Sequence, residues 1–198
     1  MDFFVYSQDG PDTKGLRDDR DLLEEHWAYM DRFADTMIAR GPTLATDRET
    51  ATGSLHVLGL SSAAAATQFV EREPNNQAGV YARHWIWAFE NLLERTMWEF
   101  AGDADEPRFL ILAQVGQDRS APVPPRPLSP SGVGGGLRER LIVYGRLKEP
   151  ESGKTVGVAV ALQARDKDAA LALVRDEVPG LDAFPRIEVH DWAFGGRR

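Results

Sequence analysis

Histidine is the side chain best suited to transfer protons near neutral pH, because its unperturbed pKa is about 6.5. His26 stands in a segment of helical periodicity, three residues after Leu23 and four residues before Met30. This place on the apolar stripe has two interpretations. His26 is either a core histidine satisfied by one hydrogen bond, or a general acid or base that faces a ligand.

Three further residues could bind a substrate. Arg20 precedes His26 by six residues, within two helical turns, and could hold an anionic group, although a solvated surface arginine is the alternative. Tyr6 on the first predicted strand points either into a cleft or into the core. Ser54, at the start of another predicted strand, is either a hydrogen-bond donor to substrate or a turn residue.

The other histidines do not form a metal-binding motif. His56, His84 and His190 fall on separate predicted strands, and neither H-x-H nor H-E-x-x-H occurs in the sequence. The glycines at 134–136 lack the lysine and the preceding strand of a phosphate loop. We therefore expect no metal ion and no cofactor, and the absence of an evident activated nucleophile argues against covalent catalysis.

The composition restricts the classes of partner. The chain has 198 residues, no cysteine and a net charge of −8, which disfavours nucleic acid and anionic membrane surfaces. No apolar run approaches the roughly 20 residues of a membrane-spanning helix, and the N-terminal residues show no secretory signal. We expect a cytoplasmic protein with a small-molecule ligand, and two such chains could pair as a homodimer.

The chain carries an internal repeat at an offset of about 105 residues. The tripeptide Trp-Ala-Phe occurs at 87–89 and at 192–194, and three further pairs of segments match in the same order. These pairs are FFVYSQ (3–8) with FLILAQ (109–114), MIARGPTL (37–44) with LIVYGRLK (141–148), and TGSLHVLGL (52–60) with VGVAVALQA (156–164). Their shared order favours a duplication over the alternative, a general likeness among half-buried strands.

Each copy is predicted to follow the order strand, helix, strand, strand, helix, strand, which is the ferredoxin-like arrangement. In the first copy, the spacing of apolar residues predicts a helix over 19–39 that stops at Gly41-Pro42. Ser61 or Ser62 is expected to cap the second helix.

The last strand of the first copy is apolar on both faces. Trp85, Trp87 and Phe89 alternate with Ile86 and Ala88. Exposing such side chains is costly, since burying one stabilises by roughly 1.5–3 kcal/mol. We therefore predict an α+β fold of tandem ferredoxin-like (βαββαβ) modules, whose antiparallel sheets pack face to face within one chain.

The second copy departs from the first. Residues 120–136 are rich in proline and glycine and predict a loop, so only about two helical turns, Leu137 to Ile142, remain plausible. Residues 90–100 have helical spacing, and a polar linker follows them. We predict two domains, 1–100 and 105–198, with the functional site in the first.

The first copy resembles the YCII-related (YciI-like) family of small dimeric α+β proteins over about residues 1–90. The resemblance is carried by FFVYSQDGPDT at the start, His26, RGP (40–42), TGS (52–54) and EPNNQAGVY (73–81). Members of this family pair two chains as a dimeric α/β barrel, so a tandem chain implies such a pair within one polypeptide. The second copy is similar only in its strands and its second helix.

The resemblance also implies a histidine–carboxylate pair. His26 matches the family histidine, and Glu73 stands where the family usually has aspartate, one methylene shorter. Val178 occupies the corresponding place in the second copy, which therefore lacks the pair. The function implied is a cofactor-free acid–base enzyme of the lyase or isomerase type. The alternatives are a non-catalytic ligand-binding or assembly module and a cofactor-free monooxygenase-like protein.

Overall fold

The computed structural model describes residues 1–115, 135–178 and 180–196 of the chain. Its strands are β1 (Asp2–Asp9), β2 (Met37–Leu44), β3 (Ala51–Gly59), β4 (Tyr81–Asn91), β5 (Arg108–Gln114), β6 (Leu141–Lys148), β7 (Thr155–Gln163) and β8 (Arg186–Trp192). Its α-helices are α1 (Lys14–Arg17), α2 (Arg20–Asp31), α3 (Ala63–Glu71), α4 (Pro74–Gln77), α5 (Gly135–Arg140) and α6 (Lys167–Glu177). Short 3₁₀ turns span Ala34–Thr36, Met97–Glu99 and Leu181–Ala183.

The eight strands form one closed antiparallel barrel in the order β1-β3-β2-β8-β5-β7-β6-β4. The first half of the molecule contributes β1–β4, and the second half contributes β5–β8. Two inter-half ladders, β2–β8 and β4–β6, join the two sheets along their edges, and we call these ladders the seams. The predicted tandem ferredoxin-like fold, closed into an α/β barrel within one chain, is confirmed.

The repeated Trp-Ala-Phe tripeptide reaches both seams, through different members of the tripeptide. In β4, Ala88 and Phe89 pair with Lys148 and Leu147 of β6. In β8, Trp192 pairs with Thr43 of β2. Closing both edges in this way leaves no unpaired outer strand among the described strands of either sheet, which is the usual advantage of a barrel.

Strand alternation divides the apolar side chains between the barrel interior and the helices outside it. Interior side chains from both halves form one cluster, which includes Phe4, Trp87, Leu110 and Trp192. Outside the first half, α2 and α3 pack on the sheet through a second cluster that includes Met30 and Phe69. Outside the second half, α6 packs on the sheet through a third and larger cluster.

The predicted helix over 19–39 is wrong in its second part. Helix α2 ends at Asp31, and Met37–Leu44 is strand β2, with Gly41 inside it. The apolar spacing of 37–39 fits a helix as well as a strand, and pairing with β3 decides between them. A Cβ at Gly41 would overlap the carbonyl oxygen of Ala193, so glycine here permits close approach of the second half.

The predicted helix over 90–100 is also wrong. Strand β4 continues to Asn91, whose side chain accepts the N–H groups of Leu93 and Glu94 and turns the chain. Only Met97–Glu99 then forms a 3₁₀ turn. The apolar residues of this segment pack against the barrel, and that tertiary contact replaces the helical face that their spacing suggested.

The short helix of the second half begins earlier than predicted. Helix α5 spans Gly135–Arg140, and Leu141 and Ile142 already belong to β6. The predicted loop over 120–136 lies outside the described residues as far as 134. Within the described residues, no helix has the length and apolar character needed to cross a membrane.

Candidate active site

A cavity of about 320 Å³ lies outside the barrel of the first half, between α2 and the strands β2 and β3. Alternation on β3 turns Leu55 and Val57 into the barrel, so His56 points outward toward α2. Residues 194–196, which follow β8, also line the cavity and bring the second half to its edge. The lining includes Arg17, Leu23, His26, Trp27, Arg40, Gly41, His56 and Phe194–Gly196.

His26 and Glu73 are in hydrogen-bond contact. Nδ1 of His26 lies 2.5 Å from Oε1 of Glu73, and the Glu73 residue is only 2% exposed. The other oxygen, Oε2, accepts the backbone N–H of Asn76 at 2.8 Å and caps α4. Both carboxylate oxygens are therefore engaged, and the cap holds the carboxylate in the orientation that positions the imidazole ring.

The contact with Glu73 leaves the second ring nitrogen of His26 available for chemistry. A carboxylate that engages Nδ1 favours the tautomer with the proton on Nδ1, so Nε2 carries a lone pair in the neutral ring. Among the described residues, no hydrogen bond joins Nε2 to the protein. The side chain is 14% exposed and lines the cavity, so a ligand there can reach the ring.

His56 is a second histidine of the cavity and is electrically neutral. Its ring lies 5.9 Å from that of His26, and the residue is 3% exposed. Burial lowers the pKa of His56 well below its ordinary value, and the positive charges of Arg17 and Arg40, and of His26 when it is protonated, lower it further. His56 can therefore exchange hydrogen bonds with a ligand near pH 7 without adding charge.

Arg17, at the end of α1, is fixed by three neighbours. Its guanidinium makes a two-pronged contact with Asp9, at 2.9 and 2.5 Å, and donates to Oγ of Ser54 at 3.1 Å. It also lies 5.1 Å from the centre of the Tyr81 ring. A guanidinium held in this way is a preorganised cation at the edge of the cavity.

Arg40 supplies a second guanidinium from β2. The residue is 5% exposed, and its guanidinium lies 3.7 Å from a carboxylate oxygen of Asp31. Because β2 pairs with β3, Arg40 stands directly beside His56 in the ladder. The cavity therefore combines one histidine–carboxylate pair, one neutral histidine and two arginines on its inner surfaces.

The structure places the five residues predicted from the sequence in different surroundings. His26 and Glu73 meet at the cavity, whereas Ser54 lies beneath Arg17 and binds it. Tyr6 points into the barrel, where its ring stacks on Trp85 at 5.6 Å and burial raises its pKa. Arg20 is exposed at the start of α2 and does not line the cavity.

Sequence reasoning did not assign Arg17, Arg40 or His56 to a ligand site. Alternation offered one available signal, because Ser54 and His56 are two residues apart on β3 and share a face. The part of the chain that the structure describes holds no group of three or more His, Asp or Glu side chains able to bind a metal ion.

Residues 1–90 match the model of the YCII-related domain. Curated proteins gave no match to the chain.

Three solved structures are among those similar to the chain. One is 5-chloro-2-hydroxyhydroquinone dehydrochlorinase (TftG) from Burkholderia phenoliruptrix in complex with 2,5-dihydroxybenzoquinone, at 27% identity over 46% of this chain and 95% of that chain, with a TM-score of 0.42. The second, provisionally named a monooxygenase, is from Lactobacillus acidophilus, at 7% identity over 98% and 96% of the two chains, with a TM-score of 0.46. The third is an anthrone oxidase-like protein, at 12% identity over 100% and 91%, with a TM-score of 0.45.

Proposed function

We propose that the YCII-related first half is an acid–base enzyme that needs no cofactor and acts on a small organic molecule. One observation carries the proposal: His26 is oriented by a buried carboxylate on one side and faces a ligand-sized cavity on the other. A positioned histidine of this kind typically accelerates proton transfer by about 10²–10⁴-fold.

In the proposed reaction, Nε2 of His26 removes a proton from a carbon next to a carbonyl group, and the electron pair moves onto the carbonyl oxygen. Glu73 stabilises the imidazolium that results, since it already engages Nδ1. In a substrate whose enolate is conjugated with a second double bond, the carbonyl reforms, the electron pair shifts to the far carbon of that double bond, and the proton returns there to complete an isomerisation. Departure of a leaving group with its electron pair, while the carbonyl reforms, completes an elimination.

The two guanidinium groups suit the charge that develops in this step. Oxyanions are stabilised most by hydrogen-bond donors whose positions are fixed before the reaction. Arg17 is such a donor, because Asp9 and Ser54 hold its guanidinium in place. Arg40 lies beside the neutral His56, where the surroundings are largely shielded from water. We assign both arginines to the binding of the substrate oxygen.

The size of the cavity restricts the substrate. A volume of about 320 Å³ is at the small end of ligand sites, which commonly span about 300–1,000 Å³. Trp27 and Leu23 of α2 add apolar surface to it. A single-ring compound with a carbonyl or hydroxyl group is small enough for the cavity and has apolar surface to place against Trp27 and Leu23. The molecule bound to TftG, 2,5-dihydroxybenzoquinone, is therefore a suitable first compound for binding measurements.

The proposal is tested by hydrogen exchange into small cyclic ketones and diketones in D2O, followed by NMR. We expect wild-type protein to accelerate exchange at the carbon next to the carbonyl, and His26→Ala to reduce that rate by about 10²-fold or more. The matched control is His84→Ala, because His84 is exposed on β4 and does not line the cavity. Equal rates for the wild type, His26→Ala and His84→Ala would refute the role of His26.

Glu73 is tested separately as a positioning residue. Glu73→Gln keeps an oxygen for the cap of α4 but presents an uncharged amide to His26. We expect a lower rate and a displaced pH–rate profile, with little change in unfolding temperature. A ligand-binding module without catalysis would instead bind a compound of the series and show no exchange that depends on His26.

A further inference from the structure

The chain beyond β8 stays attached to the first half. We call residues 193–196 the C-terminal segment. The N–H of Ala193 donates to the carbonyl of Pro42 at 3.2 Å, and the N–H of Gly195 donates to the carbonyl of Arg40 at 3.0 Å. These bonds extend the β2–β8 seam past the end of β8 and carry the segment to the edge of the cavity.

Glycines make this close approach possible. A Cβ on Gly41 would overlap the carbonyl oxygen of Ala193, and a Cβ on Gly195 would lie 2.6 Å from the Cα of Gly41. The two backbones are therefore closer than any side chain would permit. Gly196 has φ of +84°, which favours glycine, and a Cβ there would overlap the guanidinium of Arg40.

The C-terminal segment is thus in contact with one of the charged groups of the cavity. Its residues Phe194, Gly195 and Gly196 line the cavity together with Arg40 and Gly41. Phe194 is itself held in place, because its ring packs edge-on against Trp192 at 5.4 Å and the Arg108 guanidinium lies 4.3 Å from its centre. Hydrogen bonds to β2 of the first half and side-chain contacts of Phe194 with the second half therefore hold the segment in place.

We infer that the cavity is a composite site, to which both halves contribute. The C-terminal segment of the second half holds the Arg40 guanidinium in place and limits the size of the ligand. This inference rests on the proposed function, since it concerns the ligand of the same cavity. It assigns the second half, which has Val178 at the place of Glu73, a part in binding. The ligand class is a single-ring compound with an anionic oxygen directed at Arg40.

The repeat supplies a matched control. Gly145 of β6 is the counterpart of Gly41 of β2, and a Cβ on Gly145 would overlap Phe89 and the carbonyl oxygen of Glu90 at the other seam. Gly145 does not line the cavity. Gly41→Ala and Gly145→Ala therefore strain equivalent ladders, and only the first displaces the C-terminal segment from the cavity.

The experiment measures binding of benzoate and 2,5-dihydroxybenzoquinone by calorimetry to wild type, Gly41→Ala, Gly145→Ala and Gly196→Ala. We expect Kd to rise at least tenfold in Gly41→Ala and Gly196→Ala, and to stay within about twofold of wild type in Gly145→Ala. Gly196→Ala keeps the test decisive if Gly41→Ala does not fold, because Gly196 is exposed at the end of the segment.

The outcomes separate this inference from the proposed function. If wild type binds a probe, His26→Ala abolishes exchange and Gly196→Ala binds as wild type does, the composite site is wrong and the acid–base function stands. Weakened binding in Gly145→Ala equal to that in Gly196→Ala would also overturn the composite site. If wild type binds neither probe and catalyses no exchange, the proposed function fails and the inference fails with it.

Discussion

The two halves of the barrel share a strand ladder but differ in what they place on its outer face. In the first half, Arg40 and Val5 flank His56 across β2, β3 and β1. In the second half, Tyr144 and Ile111 flank Val160 in the same register. The four polar site positions of the first half and their counterparts are Arg40 and Tyr144, Ser54 and Val158, His56 and Val160, and Glu73 and Val178.

The four counterparts in the second half all belong to one buried apolar cluster beneath α6. Equivalent positions thus hold a cavity with charged groups in one half and a packed core in the other. Closure of the barrel depends on the interior side chains and the seams, which both halves supply. The outer face can therefore serve ligand binding in one half and stability in the other. This agrees with the general observation that functional sites with polar groups are kept at a cost in stability.

The largest expected effect comes from moving a site residue into the packed half. Val178→Glu would place a carboxylate at a position that is 2% exposed and lies within the apolar cluster. An unpaired buried charge typically costs about 3–5 kcal/mol, so we expect a severe loss of unfolding free energy in urea. The same carboxylate at Glu73 is tolerated because Asn76 and His26 engage both of its oxygens.

The reverse exchange, Glu73→Val, serves as the comparison. It removes the cap of α4, which is worth about 1 kcal/mol in typical helices, and it fills the space with an apolar side chain. Glu73→Val and Val178→Glu could instead lower the unfolding free energy equally. The stability of both halves would then depend equally on these positions, which would contradict the assignment of the outer face to binding in the first half and to stability in the second.

Sequence patterns predicted the framework better than the site. Strand alternation, the repeat and a capping serine at 61 or 62 all concern neighbours in sequence or a shared register, and the fold confirms them, with Ser62 as the cap. Arg17 escaped notice because its role depends on Asp9, Ser54 and Tyr81, which meet only in the folded protein. The domain limits 1–100 and 105–198, and a homodimer, stay predictions.

The second prediction concerns the pH dependence of stability in the polar half. Burial holds the pKa of His56 well below its ordinary value, with the charges of His26, Arg17 and Arg40 acting in the same direction. The unfolded chain therefore binds a proton that the folded chain does not, once the pH falls below about 6.5. Stability is then lost as the pH falls from that value toward the lower pKa of the folded state.

His56→Val introduces the residue found at the equivalent position of the second half, Val160, and removes the contribution of His56 to the pH dependence of the unfolding free energy. We expect wild type to lose up to about 1.4 kcal/mol per pH unit from this group below pH 6.5, and the variant to lose less over the same interval. Urea unfolding at pH 7 and pH 5 measures the difference. Burial also lowers the pKa of His190, so the relevant quantity is the difference in slope between the two proteins. Identical slopes would show that His56 titrates normally in the folded state.

The smallest expected effects concern a feature that the two halves have in common. Ser62 accepts the N–H of Ala65 at 3.1 Å at the start of α3, and Asp166 accepts the N–H of Ala169 at 2.7 Å at the start of α6. The two residues are 104 positions apart, at the offset of the repeat. Replacing either by alanine removes one helix cap, which typically costs about 1 kcal/mol.

We expect Ser62→Ala and Asp166→Ala to lower the unfolding free energy by similar amounts, with a few tenths of a kcal/mol more for Asp166 because its charge also favours the helix dipole. Ser61→Ala is the control, since the sequence alone did not distinguish Ser61 from Ser62 and only Ser62 accepts the capping bond. If Ser61→Ala destabilised the protein as much as Ser62→Ala, the helix would begin one residue earlier. A loss confined to one half would mean that the halves differ in their helix caps as well as on their outer faces.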